Sequence, residues 1–393
     1  MDPVAIFTGD ALFVGEVGRP DLLGAGQTRR LADQLFETVT RRLAPLPDDV
    51  IVYPGHTAGS ACGRRIGDAP STTIGQERRA SYAFRFTDRE AFIAAVLEGM
   101  PSPPTSYPVL KRVNKAGPPL LAELAPGGPL GVDDVLDLRR AGALVVDARR
   151  PEAFSAGHVP GAVSAGLGPN FTTWMGWLAP YDRDLVLILA DDGQFPDART
   201  ELRRIGLDRV RGYLAGGMAA WAAAGQPTAT LPLISVQDLA ARLARPDGRL
   251  PVLDVRSDEE WDAGHIPGAV HRFAGEIAQG AAPPLDPARP AAVICGSGYR
   301  STFAASLLLA RGHRNLINVA GGMDAWRGAA LPVTRQPGEE PLTGTDDDSM
   351  EDPAMFQRLT GRFRAPETDV ARTAQARVGG EVQIVDVREA DAW

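Results

Sequence analysis

Apolar residues in the second half of the chain fall into short blocks of two kinds. Pro251–Val255 is a brief β-branched run of the sort buried in a parallel sheet, Ala291–Ile294 is another, and Asn315–Val319 is a third strand candidate. Ser301–Arg311 is apolar all round and ends at Gly312, which predicts a buried helix with a glycine C-cap. Met323–Arg327 opens a further helix. Strands alternating with short helices predict an open α/β sheet covered on both faces. Proline-rich stretches at Pro101–Pro108, Pro126–Pro129 and Pro283–Pro290 read as loops. Residues 335–352, acidic and nearly free of apolar side chains, read as an exposed linker.

The pattern repeats. Residues 143–163 align with 250–270 without a gap at an offset of 107. Ala215-Gly216-Gly217-Met218 with Trp221 returns as Ala320-Gly321-Gly322-Met323 with Trp326 at an offset of 105. Two blocks in one order at nearly one offset mean two copies of a domain of about a hundred residues. Val382–Glu389 repeats the strand-Asp-Val-Arg opening a third time before the chain stops at Trp393.

Bulk properties narrow the class. At 393 residues the chain exceeds one ordinary core. A net charge of -8 disfavours nucleic acid and anionic membrane partners, which select basic faces. No apolar run approaches the ~20 residues of a bilayer span. Met1-Asp2-Pro3 lacks the basic start of a signal peptide, so a cytoplasmic location is expected. Two cysteines, Cys62 and Cys295, cannot build a disulfide framework. Nothing in the sequence gives Cys62 a role beyond packing.

Cys295 directly follows the strand Ala291–Ile294 and opens the loop Cys295-Gly296-Ser297-Gly298-Tyr299-Arg300-Ser301. Glycines 296 and 298 let backbone N–H groups curl around the sulfur. The N-terminus of the next helix adds partial positive charge, and Arg300 adds a full one. All three favour the thiolate over an inert core cysteine. These residues resemble the rhodanese family, together with Asp254-Val255-Arg256, Glu260, Gly264–Ala269 and Gly321-Gly322-Met323 with Trp326. The resemblance implies a sulfurtransferase whose cysteine cycles between thiol and persulfide. Its six-residue loop has the length that family uses for sulfur, shorter than that of related phosphatases. Asp254 and Arg256 are expected to form a structural pair, and His265 to pack rather than act as a base.

The first copy carries no thiol. Its loop reads Ala190-Asp191-Asp192-Gly193-Gln194-Phe195, with Ala190 in the place of Cys295 and Phe195 in that of Arg300. Two carboxylates there would repel an anionic sulfur species. A metal site at Asp191 and Asp192 is the rival reading, but adjacent acids without further ligands are usually a solvated loop. A silent spacer or docking copy is expected.

Near the N-terminus, two apolar strands end in Asp10 and His56, residue types that hold iron or zinc. Thr8-Gly9-Asp10, Gly18-Arg19-Pro20-Asp21, Tyr53-Pro54-Gly55-His56, Thr73-Ile74-Gly75 with Glu77, and Tyr107-Pro108 with Arg112–Gly117 resemble the C-terminal half of a metallo-β-lactamase-fold domain. The likeness is to the persulfide dioxygenase and glyoxalase II branch. It implies Asp10 as a metal ligand, His56 beside the metal and Arg19 near a thiol substrate. The histidine motifs that precede these residues in that branch are absent from the chain. Truncation at both ends is therefore expected, with the iron (zinc in a hydrolase) not retained.

The expected architecture is α/β. It comprises a partial metallo-β-lactamase (αββα) domain at 1–125, a silent rhodanese-like domain at 130–230 and a rhodanese domain with Cys295 at 233–335. An acidic linker at 336–375 and the first strand of a third repeat at 376–393 follow. The whole resembles persulfide dioxygenase–sulfurtransferase fusions of sulfide detoxification. That implies small sulfur donors such as thiosulfate or glutathione persulfide, thiol or sulfite acceptors, and a homo-oligomer as an option. The alternatives are a glyoxalase II-like metallohydrolase with rhodanese passengers and a non-enzymatic sulfur-relay scaffold.

Overall fold

The computed structural model describes residues 3–335 apart from 59, 61, 65, 101–102, 179–180 and 246–249. The expected linker at 336–375 and third repeat at 376–393 lie outside the described residues. Contacts divide the described chain into two units, 3–100 and 103–335. The break falls earlier than the expected 125, because the segment after it packs on the first repeat. There the Ser106 N–H donates to Gly176 O at 3.0 Å, and the Thr105 hydroxyl donates to Trp177 O at 3.0 Å.

In the first unit, strands β1 (Ala5–Gly9) and β2 (Ile51–Pro54) pair in parallel, and β3 (Thr72–Thr73) runs antiparallel to β2. Ile6 and Val52 face a core built with Phe36, Phe92 and Val96 from the covering helices Ala25–Glu37 and Arg89–Leu97, and with Val39 from the turn Thr38–Leu43 that continues the first of them. Parallel pairing puts the C-terminal ends of β1 and β2 side by side, with Gly9 opposite Pro54. Asp10 and His56 both sit at that edge.

The second unit holds both repeats, each with one five-stranded parallel sheet. The first contains β4 (Gly128–Leu130), β5 (Leu144–Asp147), β6 (Val163–Ser164), β7 (Leu185–Ile188) and β8 (Val210–Leu214), in spatial order β4-β8-β7-β5-β6. The second contains β9 (Leu233–Ile234), β10 (Val252–Asp254), β11 (Val270–His271), β12 (Ala291–Ile294) and β13 (Leu316–Val319), ordered β9-β13-β12-β10-β11. Strand for strand the orders coincide. Residues of β5, β7, β10 and β12 are all buried, as runs without polar alternation require.

The repeats also share their framework bonds. Arg256 grips Asp254 through Nε and Nη2 and reaches Gly264 O, while Arg149 does the same to Asp147 and Gly157 O. His265 bonds Trp261 O through Nδ1 and stacks on that ring, as His158 does on Phe154. The structural roles expected of Asp254, Arg256 and His265 match these contacts. Trp326 and Trp221 each donate Nε1–H to a proline carbonyl six residues on, at 2.9 Å.

The helix after the cysteine loop spans Tyr299–Ala310, two residues earlier than the sequence predicts, and is buried from Ser301 to Leu308. Its burial comes partly from the first repeat. Trp174 lies 5.1 Å from Phe303, and Ser306 Oγ accepts the Ser164 N–H at 3.0 Å. One hydrophobic core therefore runs through both repeats. Among the described residues, no helix is long and apolar enough to cross a membrane.

Candidate functional site

Cys295 stands at the C-terminal end of β12, the middle strand of its sheet, with no exposed surface. Ligands of open α/β sheets gather at such strand ends. Gly298 adopts φ +108, where only glycine is at ease, and this turns its N–H onto Cys295 Sγ at 3.1 Å. The Ser301 hydroxyl lies 3.4 Å from the same sulfur and also donates to Gly298 O. Thr302 and Asn318 brace the turn, with the Thr302 hydroxyl on Gly298 O at 2.7 Å and Asn318 Nδ2 on Thr302 Oγ1 at 2.7 Å. From below, Met323 N–H donates to Cys295 O and Asp324 N–H to Gly296 O. The sulfur thus faces a backbone N–H, a hydroxyl and a helix N-terminus.

Three loop residues differ from expectation. Arg300 does not direct its charge at the sulfur alone, because Nη1 and Nη2 both donate to the Glu260 carboxylate, the latter at 2.7 Å. Burial pushes Glu260 up, but the hydrogen bonds and charge of Arg300 outweigh it and hold the carboxyl at about 2. Tyr299 sends its hydroxyl away from the loop to Gly166 O in the first repeat, at 2.8 Å. Ser297 is exposed. The Arg300–Glu260 pair escaped sequence reasoning because its members lie 40 residues apart.

The first repeat turns the same loop inward. Gly193, the counterpart of Gly298, donates its N–H to Asp191 Oδ1 at 2.7 Å. A loop carboxylate therefore takes the donor that holds sulfur in the second repeat. Asp192 accepts the Gly216 N–H at 3.2 Å, so both acids cap backbone rather than stand ready for a metal. Phe195, in the place of Arg300, is buried against Tyr213 at 4.8 Å.

In the first unit the structure brings Asp10 and His56 together, His56 Nε2 lying 3.2 Å from Asp10 Oδ1. Gly55 makes this possible, since a Cβ there would press on Gly9 O at 3.0 Å and Asp10 Oδ1 at 3.1 Å. Cys62 joins them, the three donor atoms lying within 4.8 Å of one another. Burial pushes its thiol up and the Asp10 charge adds to this, against the Ser60 hydrogen bond and Arg19. Sequence reasoning missed Cys62 because the loop carrying it returns through Arg19, whose N–H donates to Cys62 O at 3.0 Å. The Arg19 guanidinium is buried on Asp21, with Nε at 3.0 Å and Nη2 at 2.6 Å. The Arg19 backbone N–H supports the loop beside the cluster.

Two parallel five-stranded sheets, one with a cysteine cradled after its middle strand, define a tandem α/β protein with a buried thiol on one copy. Residues 132–224 and 235–329 match the rhodanese-like domain family. The chain is 41% identical over 86 residues to YtwF of Bacillus subtilis (strain 168), named as a sulfurtransferase; the match covers 22% of this chain and 82% of that protein. It is 37% identical over 99 residues to YrkF of the same organism, named as a sulfur carrier protein, over 25% of this chain. The chain spans about half the length of that relative, 52%. A solved metallo-beta-lactamase from Staphylococcus aureus subsp. aureus COL aligns at 32% identity over 53% of this chain and 58% of that one, with a TM-score of 0.46. With its cysteine loop and repeated framework, the chain belongs to the rhodanese-like family.

Proposed function

We propose that the chain is a sulfurtransferase in which Cys295 carries sulfane sulfur as a persulfide. The Cys295 thiolate attacks the outer sulfur of a donor R–S–SH; the new S–S bond forms as the donor's own S–S bond breaks, giving Cys–S–SH and R–S⁻. With thiosulfate the same attack releases sulfite. A thiol or sulfite acceptor then attacks the outer sulfur and returns the thiolate. The observation that carries this reading is the Gly298 N–H on Cys295 Sγ, set against the carboxylate that fills the same donor in the sister loop. It is a preorganised donor of the kind that stabilises charge on a reacting atom.

Intact-mass measurement after thiosulfate or glutathione persulfide, beside Cys295→Ser, tests it. The expected outcome is the gain of one reducible sulfur by the parent and none by the variant. No gain in a folded parent protein overturns the reading.

The sequence likeness supports a place for these domains in a persulfide dioxygenase–sulfurtransferase fusion. Asp10, His56 and Cys62 offer one oxygen, one nitrogen and one sulfur, a donor set that iron and zinc accept, and three protein ligands leave a position open. Bound there, iron would supply oxygen chemistry for a persulfide, and zinc would supply water activation for a glyoxalase II-like hydrolase. This chain's residues would hold the ion, with Arg19 and Asp21 fixing the Cys62 loop. Cobalt(II) titration distinguishes the sites. A sulfur-to-metal absorption band should appear, persist in Cys295→Ser and vanish in Cys62→Ser; a chain that gives no band does not use this donor set. The sulfur-carrier name of YrkF favours a relay reading as the rival, in which Cys295 passes sulfur to a protein and turns over no small acceptor.

A further inference from the structure

Comparison of the two repeats separates what the fold needs from what Cys295 needs. Asp254, Arg256, His265, Gly322 and Trp326 recur as Asp147, Arg149, His158, Gly217 and Trp221. Among the positions that change are four charged or reactive ones: Cys295 to Ala190, Arg300 to Phe195, Glu260 to Ala153 and Asp324 to Ala219. The first repeat keeps its sheet and framework bonds without them, so Glu260 and Asp324 accompany the cysteine rather than the fold.

The four meet in space. A Cβ built on Gly296, the residue after Cys295, would lie 3.0 Å from Arg300 Nη2 and 3.9 Å from both Glu260 Oε1 and Asp324 Oδ2. Arg300 is held bidentately by Glu260, and Asp324 is exposed beside it. The neighbouring Asp254–Arg256 pair cancels itself. One cation and two carboxylates therefore leave the approach to Cys295 with one net negative charge.

We propose, building on the persulfide-carrier reading of Cys295, that Glu260 and Asp324 set donor specificity by selecting against compact dianionic donors and for persulfides that react as neutral R–S–SH. Attack of the thiolate on thiosulfate gathers three negative charges at the loop, which later divide into Cys–S–S⁻ and SO₃²⁻. Attack on a neutral R–S–SH gathers one, which leaves as R–S⁻. A negative entrance penalises the first reaction far more than the second, and salt weakens the penalty.

The test is the rate at which Cys295 gains sulfur, read by intact mass, from thiosulfate and from 2-hydroxyethyl persulfide at low and high ionic strength. Glu260→Gln and Asp324→Asn should each raise the thiosulfate rate by about three- to tenfold at low salt and less at high salt, while changing the persulfide rate by less than about twofold. Thiosulfate rates that stay level or fall overturn the assignment, as do two donors that change in parallel. Failure of the parent protein to load from either donor overturns the carrier reading itself, and this inference with it.

Discussion

The Tyr299 hydroxyl donates to the carbonyl oxygen of Gly166 across 2.8 Å of space and 133 residues of chain. Gly166 is itself close-fitted, since a Cβ there would meet the Tyr299 ring at 3.3 Å and Arg149 O at 3.0 Å. Tyr299 is the first residue of the helix whose N-terminus faces Cys295, so the first repeat holds the second repeat's cysteine loop in place. Trp177 against Phe273 at 5.3 Å extends the same contact.

Tyr299→Phe should therefore weaken both stability and sulfur loading. The variant leaves the buried Gly166 carbonyl without its partner, a loss of about 1 kcal/mol for a neutral hydrogen bond. A urea titration should show the lower midpoint, and intact-mass kinetics the slower gain of sulfur at Cys295. Unchanged loading with a lowered midpoint would make the contact purely structural.

Gly322→Ala and Gly217→Ala form a matched pair. Gly322 has φ +56, and a Cβ on it would overlap the carbonyl oxygens of Cys295 and Gly296. Gly217 has φ +54 but meets only Leu189 O, at 3.2 Å. Both variants carry backbone strain of about 1–3 kcal/mol. Only Gly322→Ala also displaces the sulfur loop, so it alone should lose sulfur loading by tenfold or more, about 1.4 kcal/mol. Equal loss in the two variants would show that loading follows global stability instead.

Much of this site is legible in local sequence. Residues Ala291–Ile294 read as a buried strand and are one, and Gly298 marks a turn whose positive φ needs glycine. The pairing of Arg300 with Glu260 and the turn of Tyr299 toward Gly166 depend on partners 40 and 133 residues away, which periodicity does not encode. Asp10 and His56 were visible as polar ends of apolar runs, and parallel pairing of β1 with β2 brings them together. Cys62 lies in an irregular loop, where chain path rather than strand geometry sets position.

Glu260 gives a pH dependence of known sign. Its ordinary value of 4.5 describes the unfolded chain, and in the folded protein Arg300 and Ser257 outweigh burial and hold it at about 2. The stability it contributes is fully present above about 4.5 and is lost as pH falls through 2. Urea midpoints of the parent and Glu260→Gln should differ above pH 4.5 and converge toward pH 2. Curves that stay parallel would mean that the carboxylate does not couple to folding.

Installing a thiol in the first repeat tests whether the missing cysteine or its altered loop would keep that repeat from carrying sulfur. Ala190→Cys alone, in a Cys295→Ser background, supplies the nucleophile but leaves Asp191 on the Gly193 N–H. The new sulfur would then meet a carboxylate where Cys295 meets a donor. Ala190→Cys with Asp191→Gly restores a glycine in the place of Gly296 and frees that N–H. The single variant should take up almost no sulfur from thiosulfate or glutathione persulfide, and the double variant at least tenfold more, a difference of about 1.4 kcal/mol in the barrier. Phe195 still stands in the place of Arg300, so the double variant should remain slower than the native second repeat. Equal loading by the single and double variants would show that the carboxylate in the first repeat's anion nest does not impede sulfur uptake there.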